Sequence, residues 1–126
     1  MPLGGGYCNI RGFLFTMNVY LIKLSNDNEE FYKIGTTVHR YCRFYEIMKS
    51  GYDVEIIYMI HGLDWDKALY AEDYLQKKFI RYYPLIKFGG YTECFKEINI
   101  HTYKKIIHSI ISNYSEITIN KKITWR

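Results

Sequence analysis

The chain has 126 residues, 48% of them apolar, enough for one domain with a real core and too many for wholesale disorder. A formal charge of +4 and a sequence pI near 8.9 favour an anionic partner without naming one, and would equally serve solubility. Cys8, Cys42 and Cys94 are an odd, widely spaced set with no C-x-x-C, and the four histidines complete no ligand spacing. Neither a disulfide framework nor a zinc knuckle is therefore indicated, and a reducing compartment is expected.

Residues 1–6 (Met-Pro-Leu-Gly-Gly-Gly) cannot hold regular structure, and residues 1–16 read as a flexible extension ahead of Met17. Residues 12–22 are apolar-rich but too short to span a bilayer, and they contain Thr16 and Asn18. A soluble, intracellular protein is expected, not secreted and without a membrane partner.

Residues 18–24 are apolar on both faces, Val19 and Leu21 against Tyr20, Ile22 and Leu24, as in a central strand covered on both sides. An acidic, Asn-rich turn leads to a second β-type run, 31–36, so the two form a hairpin. Thr37 can cap a helix over 38–49, with Val38, Tyr41, Tyr45 and Met48 as its buried stripe and Arg40 and Arg43 on another side. Ser50-Gly51 ends it, and residues 53–60 read as a third strand.

Gly62 opens a turn, and Asp64 can cap a second helix running to about residue 82, before Pro84. Ala68, Ala71, Leu75, Phe79 and Tyr82 share its apolar face. Glu72 lies only about 40° from Ala68 at 100° per residue, on the margin of that stripe. An inward-facing acid would stand there, and so would an ordinary rim glutamate. After an irregular stretch with Gly89-Gly90, an amphipathic helix is expected over 98–114. Residues 115–126 alternate Ile117, Ile119, Ile123 and Trp125 around Lys121-Lys122, as an edge strand or a basic tail that touches nucleic acid.

In this order the elements and their residues resemble the GIY-YIG nuclease domain. Asn18-Val19-Tyr20 corresponds to its first signature, Lys33-Ile34-Gly35 to its second, and Arg43, eight residues beyond Gly35, to its arginine. Glu72 falls at the place of the metal-binding glutamate. The likeness is greater to a phage and large-virus branch, with a K-I-G-[IT]-T second motif, a glutamate in A-x-x-x-E-x-x-L-H-x-x-F and a closing E-W-F. Here Tyr32-Lys33-Ile34-Gly35-Thr36-Thr37, then Ala68, Glu72, Leu75 and Phe79, then Glu93-Cys94-Phe95 stand at those spacings. The resemblance covers roughly residues 18–95. Three positions depart from the pattern: Asn18 replaces the first glycine, Gln76 the histidine after the glutamate, and Ile47 a tyrosine or histidine after the arginine.

The resemblance implies an α/β (α+β) fold: a small central antiparallel three-stranded sheet flanked by helices, in the order β-β-α-β-α and then a C-terminal helix. Residues 17–95 would form the nuclease domain, 96–114 a helix packed on it. The implied activity is metal-dependent hydrolysis of DNA phosphodiester bonds by an endonuclease; the alternative is a catalytically degenerate fold that binds nucleic acid or a protein. Such hydrolysis needs a positioned water, an acceptor for its proton, and positive charge where negative charge builds. By resemblance, Glu72 would hold one Mg²⁺ or Mn²⁺, Arg43 would grip non-bridging oxygens, and Tyr20 would position or deprotonate the water. Lys33 would neutralise phosphate charge, Gly35 would let the strand end close against the helix, and Arg40 would be a second phosphate contact. DNA is the implied partner, and homodimerisation is left open. Usage heavy in Lys, Ile, Asn and Tyr fits an AT-rich genome such as that of a virus or mobile element.

Overall fold

The computed structural model of the protein describes residues 16–39 and 41–124. The extension up to residue 15, Arg40 and the last two residues lie outside them.

Strands β1 (Met17–Ser25) and β2 (Glu30–Thr37) form the expected hairpin. Its turn is closed by Asn26, whose side-chain oxygen accepts from the N–H groups of Asn28 (2.8 Å) and Glu29 (3.1 Å), as Asn does when it mimics a turn. Helix α1 (Cys42–Lys49), β3 (Asp53–Leu63) and α2 (Trp65–Gln76) follow, then β4 (Cys94–Phe95), α3 (Ile100–Ile110) and β5 (Glu116–Ile123). The class is α+β, but the three-stranded sheet expected from the sequence is corrected to five strands. All pairs are antiparallel, in the order β4-β2-β1-β3-β5. Of the extra strands, β5 covers the outer edge of β3 and β4 covers the Tyr32–Lys33 part of the edge of β2.

β1 is the central strand, and both its faces are buried. Tyr20, Ile22 and Leu24 pack with Phe31 of β2 and with Phe44 and Ile47 of α1. Val19 and Leu21 pack on the other face with Ile34, with Ala68, Ala71 and Leu75 of α2, and with Tyr103, Ile107 and Ile111 around α3. In β3, Ile57 is skipped between the pairs Leu21–Tyr58 and Ile22–Ile56. This bulge restores register, because a one-residue slip would otherwise turn every following side chain to the wrong face.

The bounds of all three helices differ from expectation. α1 starts at Cys42, because the Thr37 hydroxyl closes a turn with His39 (2.8 Å to its carbonyl) instead of capping a helix. Its fully buried residues are Phe44 and Ile47; Tyr41, Tyr45 and Met48 only flank them, and Val38 is exposed. β3 passes through Gly62 to Leu63 rather than turning there. α2 stops at Gln76, because the next segment pairs with β4: Tyr82 N–H donates to Cys94 O (2.9 Å) and Lys96 N–H to Ile80 O (3.2 Å). α3 is shorter at both ends than expected and is capped by Asn99, which accepts from Thr102 N–H at 3.0 Å. Among the described residues, no helix is long and apolar enough to cross a membrane.

Candidate active site at the open edge of the second strand

The hairpin register places Tyr20 opposite Gly35 and Lys33 opposite Ile22, all on the face covered by α1. The Tyr20 ring meets Phe44 edge-on at 5.0 Å, so the first residues of α1 roof it. Lys33 is fully buried, and its ammonium donates to the Tyr20 hydroxyl (2.8 Å) and to Glu93 Oε1 (3.0 Å). Burial alone would pull the lysine pKa down. The Tyr20 oxygen and the Glu93 carboxylate outweigh it and hold the amine above its ordinary value, so Lys33 is a buried cation and not a base.

Gly35 also leaves space within the sheet face. A Cβ at residue 35 would sit 2.6 Å from Tyr20 Cζ and 3.0 Å from Lys33 Nζ, so the missing side chain makes room for the tyrosine–lysine pair. Gly90 does the same from the other side: with φ +85° it turns the chain into the short 3₁₀ turn Tyr91–Glu93, and a Cβ there would lie 2.9 Å from Lys33 Cε. This turn delivers Glu93, which the sequence placed only in the closing triplet. The usable signal was the pairing partner: Lys33 lies opposite Cys94, so the residue before Cys94 falls beside the lysine.

β4 pairs with Tyr32 and Lys33, so among the described residues β2 has no strand on its outer edge from Ile34 onward. α2 covers that edge. Gln76 donates to the Ile34 carbonyl (2.9 Å) and to Glu72 Oε2 (3.3 Å), while the Thr36 hydroxyl donates to Glu72 Oε1 (3.3 Å). Gln76, standing where the resemblance has histidine, thus satisfies an edge carbonyl and steadies the acid. The Glu72 carboxyl is held above the usual range, first by burial and then by the nearby Glu93 charge, against the lowering influence of Lys33 and Thr36.

Arg43, at the start of α1, is half exposed, with Nε 3.9 Å from Glu46 Oε1, a loose contact. It lines a depression of about 340 Å³ together with Thr36, Thr37, His39 and Trp65. Thr36 is the hinge of the arrangement: one neighbour is the Arg43 depression, the other is Glu72. Arg43 and Glu72 come from helices on opposite faces of the sheet, and Glu72 is not among the residues that line the Arg43 depression. Tyr20 and Lys33 are fully covered. Ile47 is a core residue. Asn18 donates to Thr37 O (3.0 Å) and pairs with His61 Nδ1 (3.0 Å), whose Nε2 meets Thr118 Oγ1 at 2.8 Å, so it ties β2 to β3 and β5.

Glu72 and Thr36 present hard oxygen atoms, and the rise in the Glu72 pKa beside Glu93 is what a bound cation would relieve. Among the described residues there is no group of three or more His, Cys, Asp or Glu that could cage a metal. The donors suit an ion such as Mg²⁺, which takes one or two carboxylates and keeps several waters. Comparison of the chain with protein-family models, with curated proteins and with solved structures finds no match.

Proposed function

We propose that the protein is a divalent-metal-dependent endonuclease of GIY-YIG type that hydrolyses phosphodiester bonds of DNA. The observation that carries this reading is the place of Thr36 at the end of β2, bonded to Glu72 and lining the depression that holds Arg43, with the Tyr20–Lys33 pair on the same strand pair. Glu72 would hold the Mg²⁺ or Mn²⁺, which when bound supplies Lewis-acid stabilisation to a phosphate or leaving oxygen. Arg43 can turn from its loose contact with Glu46 and bind two non-bridging oxygens with its planar fork. Lys33 keeps its proton, adds positive potential behind the site and fixes the Tyr20 oxygen, whose own proton then points away from the ammonium. The net charge of +4 favours DNA through salt-dependent phosphate contacts.

A second reading, a nucleic-acid-binding fold without cleavage, is favoured by the complete burial of Tyr20 and Lys33. Their polar atoms satisfy one another and Glu93, so an attacking water reaches the tyrosine oxygen only if this packing opens. Incubation of the protein with supercoiled plasmid and Mg²⁺ or Mn²⁺, beside Glu72→Ala and Arg43→Ala, separates the two. The expected result is nicking by wild type that both variants lose by about 10²-fold or more, the scale of one electrostatic stabiliser of a transition state. Equal nicking by all three proteins overturns the assignment, and salt-sensitive binding without nicking selects the second reading.

A further inference from the structure

The depression beside the candidate site holds a feature that phosphate chemistry leaves unused. Trp65, the first residue of α2, is 47% exposed, and Val38 across the same hollow is 39% exposed. Arg43 stands in the same hollow, and Thr36, on its wall, is hydrogen-bonded to Glu72. A flat apolar platform and a guanidinium therefore share a single depression of about 340 Å³, within the roughly 300–1,000 Å³ of small-ligand sites, and the candidate acid is bonded to Thr36 on its wall.

From this juxtaposition we infer that the hollow is a nucleotide subsite: an unpaired base stacks on Trp65 and Val38 while its phosphate lies on Arg43. The complementarity is of two kinds at once. A nucleotide pairs a π-face with an anion, and the groove pairs an indole with a cation whose ion pair among the described residues is a loose one with Glu46, at 3.9 Å. A protein segment or a second copy of the chain would satisfy the apolar side without needing the guanidinium. A base stacked inside a duplex cannot offer its face to an exposed indole, so the subsite selects single-stranded or flayed DNA. The inference rests on the nucleic-acid reading above and adds to it the class of substrate.

Trp65 and Trp125 are the two tryptophans of the chain, so in W125F the emission reports Trp65 alone. The full-length W125F protein is titrated at low salt in EDTA with a short oligothymidylate and with a blunt duplex of equal length. Labelled oligonucleotide is followed by anisotropy for the W125F/W65A, W125F/W65F and W125F/R43A proteins. Expected are quenching by the single strand, at least tenfold weaker binding of the duplex, and roughly tenfold weaker single-strand binding by W65A, in line with one lost stacking contact. W65F recovers most of that loss, and R43A lowers the salt slope by about one. Unchanged emission at saturation, or W65A binding like its parent, overturns the subsite even if plasmid is nicked. Duplex bound as tightly as single strand overturns the substrate class. Quenching and W65A loss without nicking leave the subsite standing and overturn cleavage; no binding of either DNA overturns both.

Discussion

Lys33 is the most constrained polar side chain described here: fully buried, charged, and fitted between two glycines that leave it space. Its counterion Glu93 is 35% exposed, which makes the pair asymmetric. Removing the glutamate strands a buried ammonium, whereas removing the lysine leaves a carboxylate that water can reach. Glu93→Ala should therefore cost about 2–4 kcal/mol in urea unfolding, and Lys33→Met clearly less; the reverse order would mean the pair contributes little. Glu72 works in the opposite direction. Its raised pKa means that the folded state prefers the protonated acid, so ionised Glu72 lowers stability above its folded value, and stability is regained as pH falls toward the unfolded one. Glu72→Gln is expected to match or exceed wild type in Tm at pH 7 while losing the nicking activity, the signature of a residue retained for chemistry. A fall in Tm would place Glu72 among the structural residues.

At the scale of elements, the turn of the hairpin also anchors the loop that carries Gly89, Gly90 and Glu93. Glu29 accepts from the hydroxyls of Tyr52 and Tyr82 (2.6 Å for the latter) and from Leu85 N–H at 3.1 Å, and Ile86 N–H donates to the Tyr52 oxygen at 3.2 Å. Burial pushes the Glu29 carboxyl up, but the bonds from Tyr52, Tyr82 and Leu85 together bring it below the usual range. The Tyr52 hydroxyl is pushed up to about 12 by burial and by donating to that carboxylate. A depressed acid contributes stability that is present above its unfolded pKa, about 4.3 for Glu, and is lost as pH falls through the folded value. Hydrogen exchange of residues 82–91 should accordingly speed up as pH falls below about 4, relative to the hairpin itself, after correction for intrinsic rates. Glu29→Gln should show the faster exchange already at neutral pH. Exchange insensitive to both changes would mean that the loop is held by Phe31, Tyr52, Tyr82 and Phe88 packing alone.

At the scale of the whole molecule, β5 protects the long strand β3, pairing along it from Val54 to His61. Truncation after residue 114 would bare that edge and remove Thr118 from the Asn18–His61 chain that steadies the end of β2. Such a truncated protein should aggregate or lose its cooperative thermal transition, read by size-exclusion chromatography and circular dichroism. A monomeric, cooperatively folding truncation would instead make β5 an accessory strand.

How much of this could be read without coordinates follows from the range of each interaction. Local pattern carried the hairpin to within a residue or so at each end, because alternation and a polar turn act between neighbours. It also carried the double-sided burial of β1, and Glu72 on the flank of α2, because 100° per residue is a property of the helix alone. Where a segment chose between local and distant partners, the tertiary structure decided. Residues 80–82 continue a helical pattern but pair with β4, Thr37 closes its own turn with His39, and the last strand exists because β3 offers it an edge. The two-residue strand Cys94–Phe95 is too short to have a pattern, yet its pairing with Lys33 brings Glu93 to the lysine across 60 positions of chain. Residue types and spacings by themselves determined a mixed fold with an acid, an arginine and a tyrosine in a suggestive order. Only packing decided that the tyrosine and lysine are buried together on one face of β2, while the acid and the arginine stand on opposite faces with Thr36 between them, because burial and ion pairing depend on neighbours that the chain brings from far away.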